Sequence, residues 1–101
     1  MSYQNLEFYF RTKKTYRVEM AVITGSTLEL RCPGLLMNLN EGQRGKLILL
    51  NGDCDGKTFK LRTKLTWVTR KLDGSCVLKF DLYSVKESKQ EALIKFLEEV
   101  E

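Results

Sequence analysis

The stretch KTFKLRTKLTWVTR, from Lys57 to Arg70, constrains this chain more than any other. Phe59, Leu61, Leu65 and Trp67 fall on one parity, and Lys60, Arg62, Lys64 and Arg70 on the other. Side chains of an extended chain alternate between two sides, so the pattern predicts a long strand with a core face and a charged face. Asp73-Gly74 follows, a pair that accepts a tight hairpin turn. Cys76, Leu78, Phe80 and Leu82 then make a second alternating run, facing inward. A long strand turning at Asp-Gly into another suits a bent antiparallel sheet, and such a sheet closes on itself to remove its exposed edges.

The preceding residues keep the same period. Tyr16, Val18, Met20 and Val22 alternate with Arg17, Glu19 and Ala21, and the first set is expected inside. Thr24-Gly25-Ser26 reads as a turn, after which Leu28, Leu30 and Cys32 alternate with Thr27, Glu29 and Arg31. Leu35–Leu39 is a short apolar stretch, and Lys46–Leu50 is apolar enough to be covered on both faces. The period changes only at the end. Ser84-Val85-Lys86-Glu87 has the form of a capping box, and Leu93, Phe96, Leu97 and Val100 share one helical face. The chain of 101 residues is therefore read as one domain, residues 1–101. Residues 1–10 are expected to form an N-terminal arm or short strand, and residues 84–100 a helix closing a small, mainly β, antiparallel barrel.

Composition narrows the function. The sequence contains no histidine, which removes the commonest general acid–base and the commonest metal ligand. A binding module without enzymatic activity or cofactor is expected. A net charge of +4 suits an anionic partner without requiring one. Cys32, Cys54 and Cys76 form no C-x-x-C pair and are read as reduced structural thiols. No apolar run approaches the ~20 residues of a membrane span. The start, MSYQNLEFYFRTKK, lacks the order of a signal peptide, so a cytoplasmic location is expected.

Three segments carry candidate chemistry. Asn51, Asp53, Asp55 and Gly56 match the first half of a calcium loop, but Arg62 stands where a bidentate glutamate is needed and no helix flanks it. A polar hairpin loop is the expected reading. The basic face Lys60, Arg62, Lys64 and Arg70 has the charge to follow a single-stranded nucleic acid. Phe59 and Trp67 fall on the opposite, core-facing set, which leaves that face without a stacking surface and disfavours nucleic acid as the partner. The third segment, RTKKTYR, crowds Arg11, Lys13, Lys14 and Arg17 before a strand. An arginine fork there matches a phosphate or a guanine edge.

Taken together, KKTYR, ELRCPG and the closing KLTWVTRKLDGSCVLKFDLYS before an amphipathic helix resemble the PilZ domain family over roughly residues 11–100. These are small bacterial barrels that include receptors for cyclic di-GMP. The family signature is R-x-x-x-R followed by D/N-x-S-x-x-G. This chain has Lys13-x-x-x-Arg17 and Glu29-x-Arg31-x-x-Gly34, with a shorter gap between them and Arg11 as an alternative partner to Arg17. Arg17 and Gly34 match, and the other three positions differ.

The resemblance implies a six-stranded PilZ-like split barrel with one C-terminal helix. It also implies a cyclic di-GMP site at Arg11, Lys13, Lys14, Arg17, Glu29, Arg31 and Gly34. Arg17 with Arg11 or Lys13 is expected to hold phosphates and guanine, Glu29 a guanine edge, and Gly34 the turn. Lys13 keeps charge but loses the arginine fork. Arg31 replaces a small hydroxyl, and either grips a phosphate or closes the site by pairing with Glu29. Each lost bidentate contact costs about 1–3 kcal/mol, so cyclic di-GMP binding is expected to be weakened or lost. Loss would leave a protein partner in motility or pilus-type regulation as the route of action. The apolar helix face around Leu93 and Phe96 must dock on the barrel or on another chain, and that face or a sheet edge is the expected docking surface for a partner.

Overall fold

The computed structural model describes residues 2–34, 39–52, 57–82 and 85–100. Six antiparallel strands are followed by one helix: β1 (Ser2–Phe10), β2 (Tyr16–Thr24), β3 (Thr27–Cys32), β4 (Arg44–Asn51), β5 (Thr58–Arg70), β6 (Cys76–Asp81) and α1 (Glu87–Val100). The strands close in the order β1-β2-β3-β6-β5-β4, with β4 returning to β1. Among the described residues closure leaves no free edge strand for the edge docking expected from the sequence.

Residues 2–10 form a strand, one of the two alternatives expected for the N-terminal segment. β1 pairs with β2 on one side and β4 on the other, and Leu6, Phe8 and Phe10 are fully buried. These phenylalanines meet Phe80 of β6 in the core: the Phe80 ring lies 5.2 Å from Phe10 and 6.3 Å from Phe8, both edge-on. Leu28 and Leu30 of β3, Leu47 and Leu49 of β4, Leu65 of β5 and Leu78 of β6 complete the packed interior. Ile48 is also buried, although it lies on the outer side of β4 opposite Lys60; Lys46 on that side is exposed, so the strand is not covered on both faces throughout.

The helix docks on its own barrel. Leu93, Phe96 and Leu97 are buried, and the Phe96 ring lies 5.6 Å from Phe59. Of the two expected places for this apolar face, the barrel or another chain, it takes the barrel. The helix starts at Glu87 rather than 84, with the Lys86 carbonyl accepting from the Lys89 and Gln90 amides at 2.9 and 3.1 Å. Ser84, the expected cap, lies outside the described residues. No described helix is long and apolar enough to cross a membrane.

Two strands break the simple alternation. In β2, Val18 and Ala21 are buried while Val22 is exposed, so the inward parity changes in mid-strand. The expectation that Met20 and Val22 face the core is corrected: Met20 stands opposite Arg31 and Val22 opposite Glu29, on the outer wall. In β5, Leu65 pairs with Phe80 but Trp67 pairs with Lys79, which makes Thr66 the extra residue of a β-bulge. A bulge places two consecutive residues on one side. Leu61, Thr63 and Leu65 are buried before it, whereas Trp67 after it is 51% exposed. The assignment of Trp67 to the core is thus reversed.

Candidate functional site on the outer wall

The bulge assembles a chemically varied surface. Register places Val22, Glu29, Lys79 and Trp67 in one row across β2, β3, β6 and β5. Met20, Arg31, Val77 and Thr69 form the adjacent row. Glu29, Arg31, Trp67, Thr69, Lys71, Val77 and Lys79 line a shallow depression of about 280 Å³. It offers an aromatic face, three cations, a carboxylate and a hydroxyl on rigid strands. The Lys79 ammonium lies 5.7 Å from the Trp67 ring centroid and 3.9 Å from Glu29 Oε1. Both partners of that ion pair are nearly half exposed, so it is worth ~0–1 kcal/mol and exchanges readily for a ligand.

The choice posed by Arg31 has a structural answer. Its Nη1 leans on Met20 Sδ at 3.9 Å, a soft contact that orients the side chain without neutralising it. Glu29 is engaged by Lys79 instead. Arg31 therefore does not close the surface by pairing with Glu29.

The other predicted residues divide between two walls. Arg17 is exposed at the start of β2, opposite Glu7 of β1, three residues along the strand from Met20. Gly34 lies just past β3, at the same barrel end. A Cβ there would meet nothing within 4 Å and its φ is not positive, so neither backbone freedom nor close approach requires glycine at this place. Arg11 and Lys13 turn the other way, toward β4. Arg11 has φ 65°, a left-handed conformation that costs about 1 kcal/mol or more for a residue with a Cβ. Its Nη1 donates to the Arg44 carbonyl at 2.6 Å. Its stem crosses Gly45 so closely that a Cβ on Gly45 would sit 2.9 Å from Arg11 Cγ. Lys14 extends over the Tyr16 ring at 5.4 Å from its centroid. Glu29 and Arg31 thus share the β2–β3 wall, Arg17 stands opposite Glu7 where β2 pairs with β1, and Arg11 and Lys13 join Arg44 and Lys46 around a separate depression.

The basic face of β5 is also rearranged. Lys60, Arg62 and Lys64 point outward before the bulge, opposite Ile48, Lys46 and Arg44. Arg70, beyond it, stands opposite Cys76 and directs Nη2 toward the Leu39 carbonyl at 3.5 Å. It no longer belongs with the other three.

Cysteine chemistry is muted. Cys32 and Cys76 are directly opposed across β3 and β6, both buried and both free thiols. Burial, reinforced by Cys76, pushes the Cys32 thiol up to about 12, which keeps it protonated and unreactive at neutral pH. Cys54, Asp53 and Asp55 lie outside the described residues. Among the described residues no group of three metal-ligating side chains gathers.

Sequence reasoning missed Trp67, Thr69 and Lys79. Trp67 continues the parity of Leu61, Thr63 and Leu65, so nothing in the sequence marks the bulge that turns it outward. No family model, curated protein or solved structure matches this chain.

Proposed function

We propose that this chain is a non-enzymatic signalling module of PilZ type. In this reading a cyclic di-GMP ligand lies on the β2–β3–β6–β5 wall and binds weakly, and occupancy is passed to a protein partner. The observation that carries it is the exposed indole of Trp67 in a row with Lys79 and Glu29 and beside the row of Arg31. A guanine stacks on the indole, Glu29 accepts from its donor edge once Lys79 is displaced, and Arg31 and Arg17 meet phosphates. The acceptor, the stacking surface and the charge that a guanine nucleotide needs are all within one patch. The absence of histidine from the sequence fits a receptor rather than a catalyst.

Weak affinity follows from the arm. With Arg11 held against Arg44, the clamp expected from Arg11 and Lys13 does not reach this wall. Two lost bidentate contacts at about 2 kcal/mol each lower a micromolar affinity to the order of millimolar. Trp67 is the sole tryptophan, so its fluorescence reports on the patch directly. Titration with cyclic di-GMP is expected to quench it with a dissociation constant on the order of 1 mM. Arg31→Ala should weaken that response at least fivefold and Arg17→Ala severalfold. Unchanged emission up to about 10 mM ligand, or quenching indifferent to Arg31, refutes the assignment.

A further inference from the structure

Two cysteines face one another inside the barrel. Cys32 is the last residue of β3 and Cys76 the first of β6, and the register sets them directly opposite. Both side chains are buried and both thiols are free. Each belongs to an inward run, with Leu28 and Leu30 before Cys32 and with Leu78 and Phe80 after Cys76. A single buried cysteine packs as a small apolar group. Two of them, on facing strands and on the same side of the sheet, also bring together the parts of a covalent bond.

Their separation follows from the ladder. Just before β3, the Ser26 carbonyl accepts from the Leu82 amide at 2.8 Å. Hydrogen-bonded and non-hydrogen-bonded pairs alternate along antiparallel strands. Leu28 with Phe80, Leu30 with Leu78 and Cys32 with Cys76 are therefore all of the hydrogen-bonded kind, whose Cα atoms lie about 5.5 Å apart. A disulfide spans about 4.4–6.8 Å between Cα atoms, most often near that value. Opposed Cβ atoms stand about 4.5–5.5 Å apart and a disulfide draws them to about 3.8 Å, so the strands must close by about an ångström. That movement falls at the ends of both strands, where pairing opens most easily. Pro33 follows Cys32 and has no amide hydrogen with which to extend the ladder.

We propose that Cys32 and Cys76 are a site of reversible oxidation, joined as an intramolecular disulfide between β3 and β6 by exchange with a low-molecular-weight disulfide such as oxidised glutathione. The strand end opens, and the thiolate of one cysteine attacks a sulfur of the glutathione disulfide. A mixed disulfide forms and one glutathione leaves. The thiolate of the second cysteine then attacks the protein-side sulfur, the Cys32–Cys76 bond forms and the second glutathione leaves. Two protein thiols are oxidised, one glutathione disulfide is reduced to two thiols, and the two cysteine protons end on them. In the closed barrel the Cys32 thiol, pushed up to about 12 by burial and by Cys76, does not react, so opening sets the rate in both directions. The bond lies beside the outer-wall patch, since Arg31 and Val77, the next pair along, form part of one of its rows.

The test is equilibration of the full chain with graded ratios of oxidised and reduced glutathione, in native buffer and in about 8 M urea, followed by acid quenching and peptide mapping by mass spectrometry. The bond encloses roughly 45 residues, and closing a loop of that length disfavours it in the unfolded chain by roughly a thousandfold. The folded barrel has already made that closure. After allowance for the Cβ approach, the equilibrium constant should be at least about fiftyfold larger in native buffer than in urea. The peptides of Cys32 and Cys76 should be recovered joined, two hydrogens lighter than their sum, with Cys54 left out of the link. The urea midpoint should rise by about 1 M or more and return with dithiothreitol. Cys54→Ser should give the same link, and the unmodified chain carries the test if that variant fails to fold. A constant no larger in native buffer than in urea, joined peptides that involve Cys54 or two chains instead, or a lower urea midpoint after oxidation overturns the proposal. The Trp67 response to cyclic di-GMP requires neither cysteine, so either reading can fail without the other.

Discussion

Deleting Thr66 tests the bulge on which the Trp67 patch depends. Leu65 pairs with Phe80 and Trp67 with Lys79, so Thr66 is the one residue of this segment that the β6 register does not need. Without it, Leu65 and Trp67 become neighbours in a regular ladder. Leu65 stays inside, Trp67 stays outside and Val68 stays opposite Leu78. What is lost is the hydrogen bond from the Thr66 hydroxyl to the Lys79 carbonyl, 3.1 Å and solvent-exposed, worth about 1 kcal/mol. Deletion of Val68 behaves differently. The bulge remains, Thr69 moves opposite Leu78, and every side chain to the end of β5 changes face, at a cost of ~3 kcal/mol or more. Urea denaturation followed by tryptophan emission measures both losses, and acrylamide quenching reports whether the indole is still exposed. The Thr66 deletion should fold, lose about 1 kcal/mol and keep an accessible indole. A shielded indole, or a loss as large as that of the Val68 deletion, would show that Thr66 is not the residue left over between Leu65 and Trp67 in the pairing with β6.

Two further outcomes follow from local geometry. Because the Cys32 thiol is raised in the folded barrel from 9.0 to about 12, its neutral form is favoured there. Its contribution to stability is complete below the unfolded value and declines as pH rises toward the folded one, by about 1.4 kcal/mol per pH unit. Urea midpoints measured from about pH 8 to about pH 11 should fall accordingly, and Cys32→Ala should remove that component. Gly45→Ala sets a methyl 2.9 Å from Arg11 Cγ. Arg11 must then release the Arg44 carbonyl, and amide exchange through residues 12–14 should accelerate while stability falls by about 1 kcal/mol; unchanged exchange would refute that coupling.

Much of the architecture is legible in linear order because alternation and turn chemistry are local. Leu28, Leu30 and Cys32 point inward as their spacing predicts, as do Cys76, Leu78 and Phe80. The Asp73-Gly74 turn is present, with Gly74 at φ 89° and Asp73 Oδ1 accepting from the Ser75 amide and hydroxyl at 2.9 and 2.6 Å. Those hydrogen bonds, with Lys71 nearby, hold the Asp73 carboxyl below its ordinary range. The helix face through Leu93, Phe96 and Leu97 was equally visible, although its choice of the barrel over another chain was not.

The candidate site was legible only in part. Arg17, Glu29 and Arg31 could be assigned to outward faces of β2 and β3 from alternation alone, although only Glu29 and Arg31 lie where the two strands pair. Their companions could not, because Trp67 and Lys79 arrive through the pairing of β6 with β3 on one side and β5 on the other. The divergence of Arg11 from Arg17 depends on a left-handed backbone and on the glycine surface of Gly45, which β4 brings alongside.

The division has one physical cause. A strand's own side chains determine that it has two faces, and its turns determine which strand follows, so the sequence alone is enough for a closed β-structure with a helix. Which residue occupies which place on a face is a property of pairs of strands, since one unpaired residue such as Thr66 reverses all that follow. That unpaired residue could be located only once β5 and β6 were joined, and with it the Trp67 patch and the separation of the two basic surfaces.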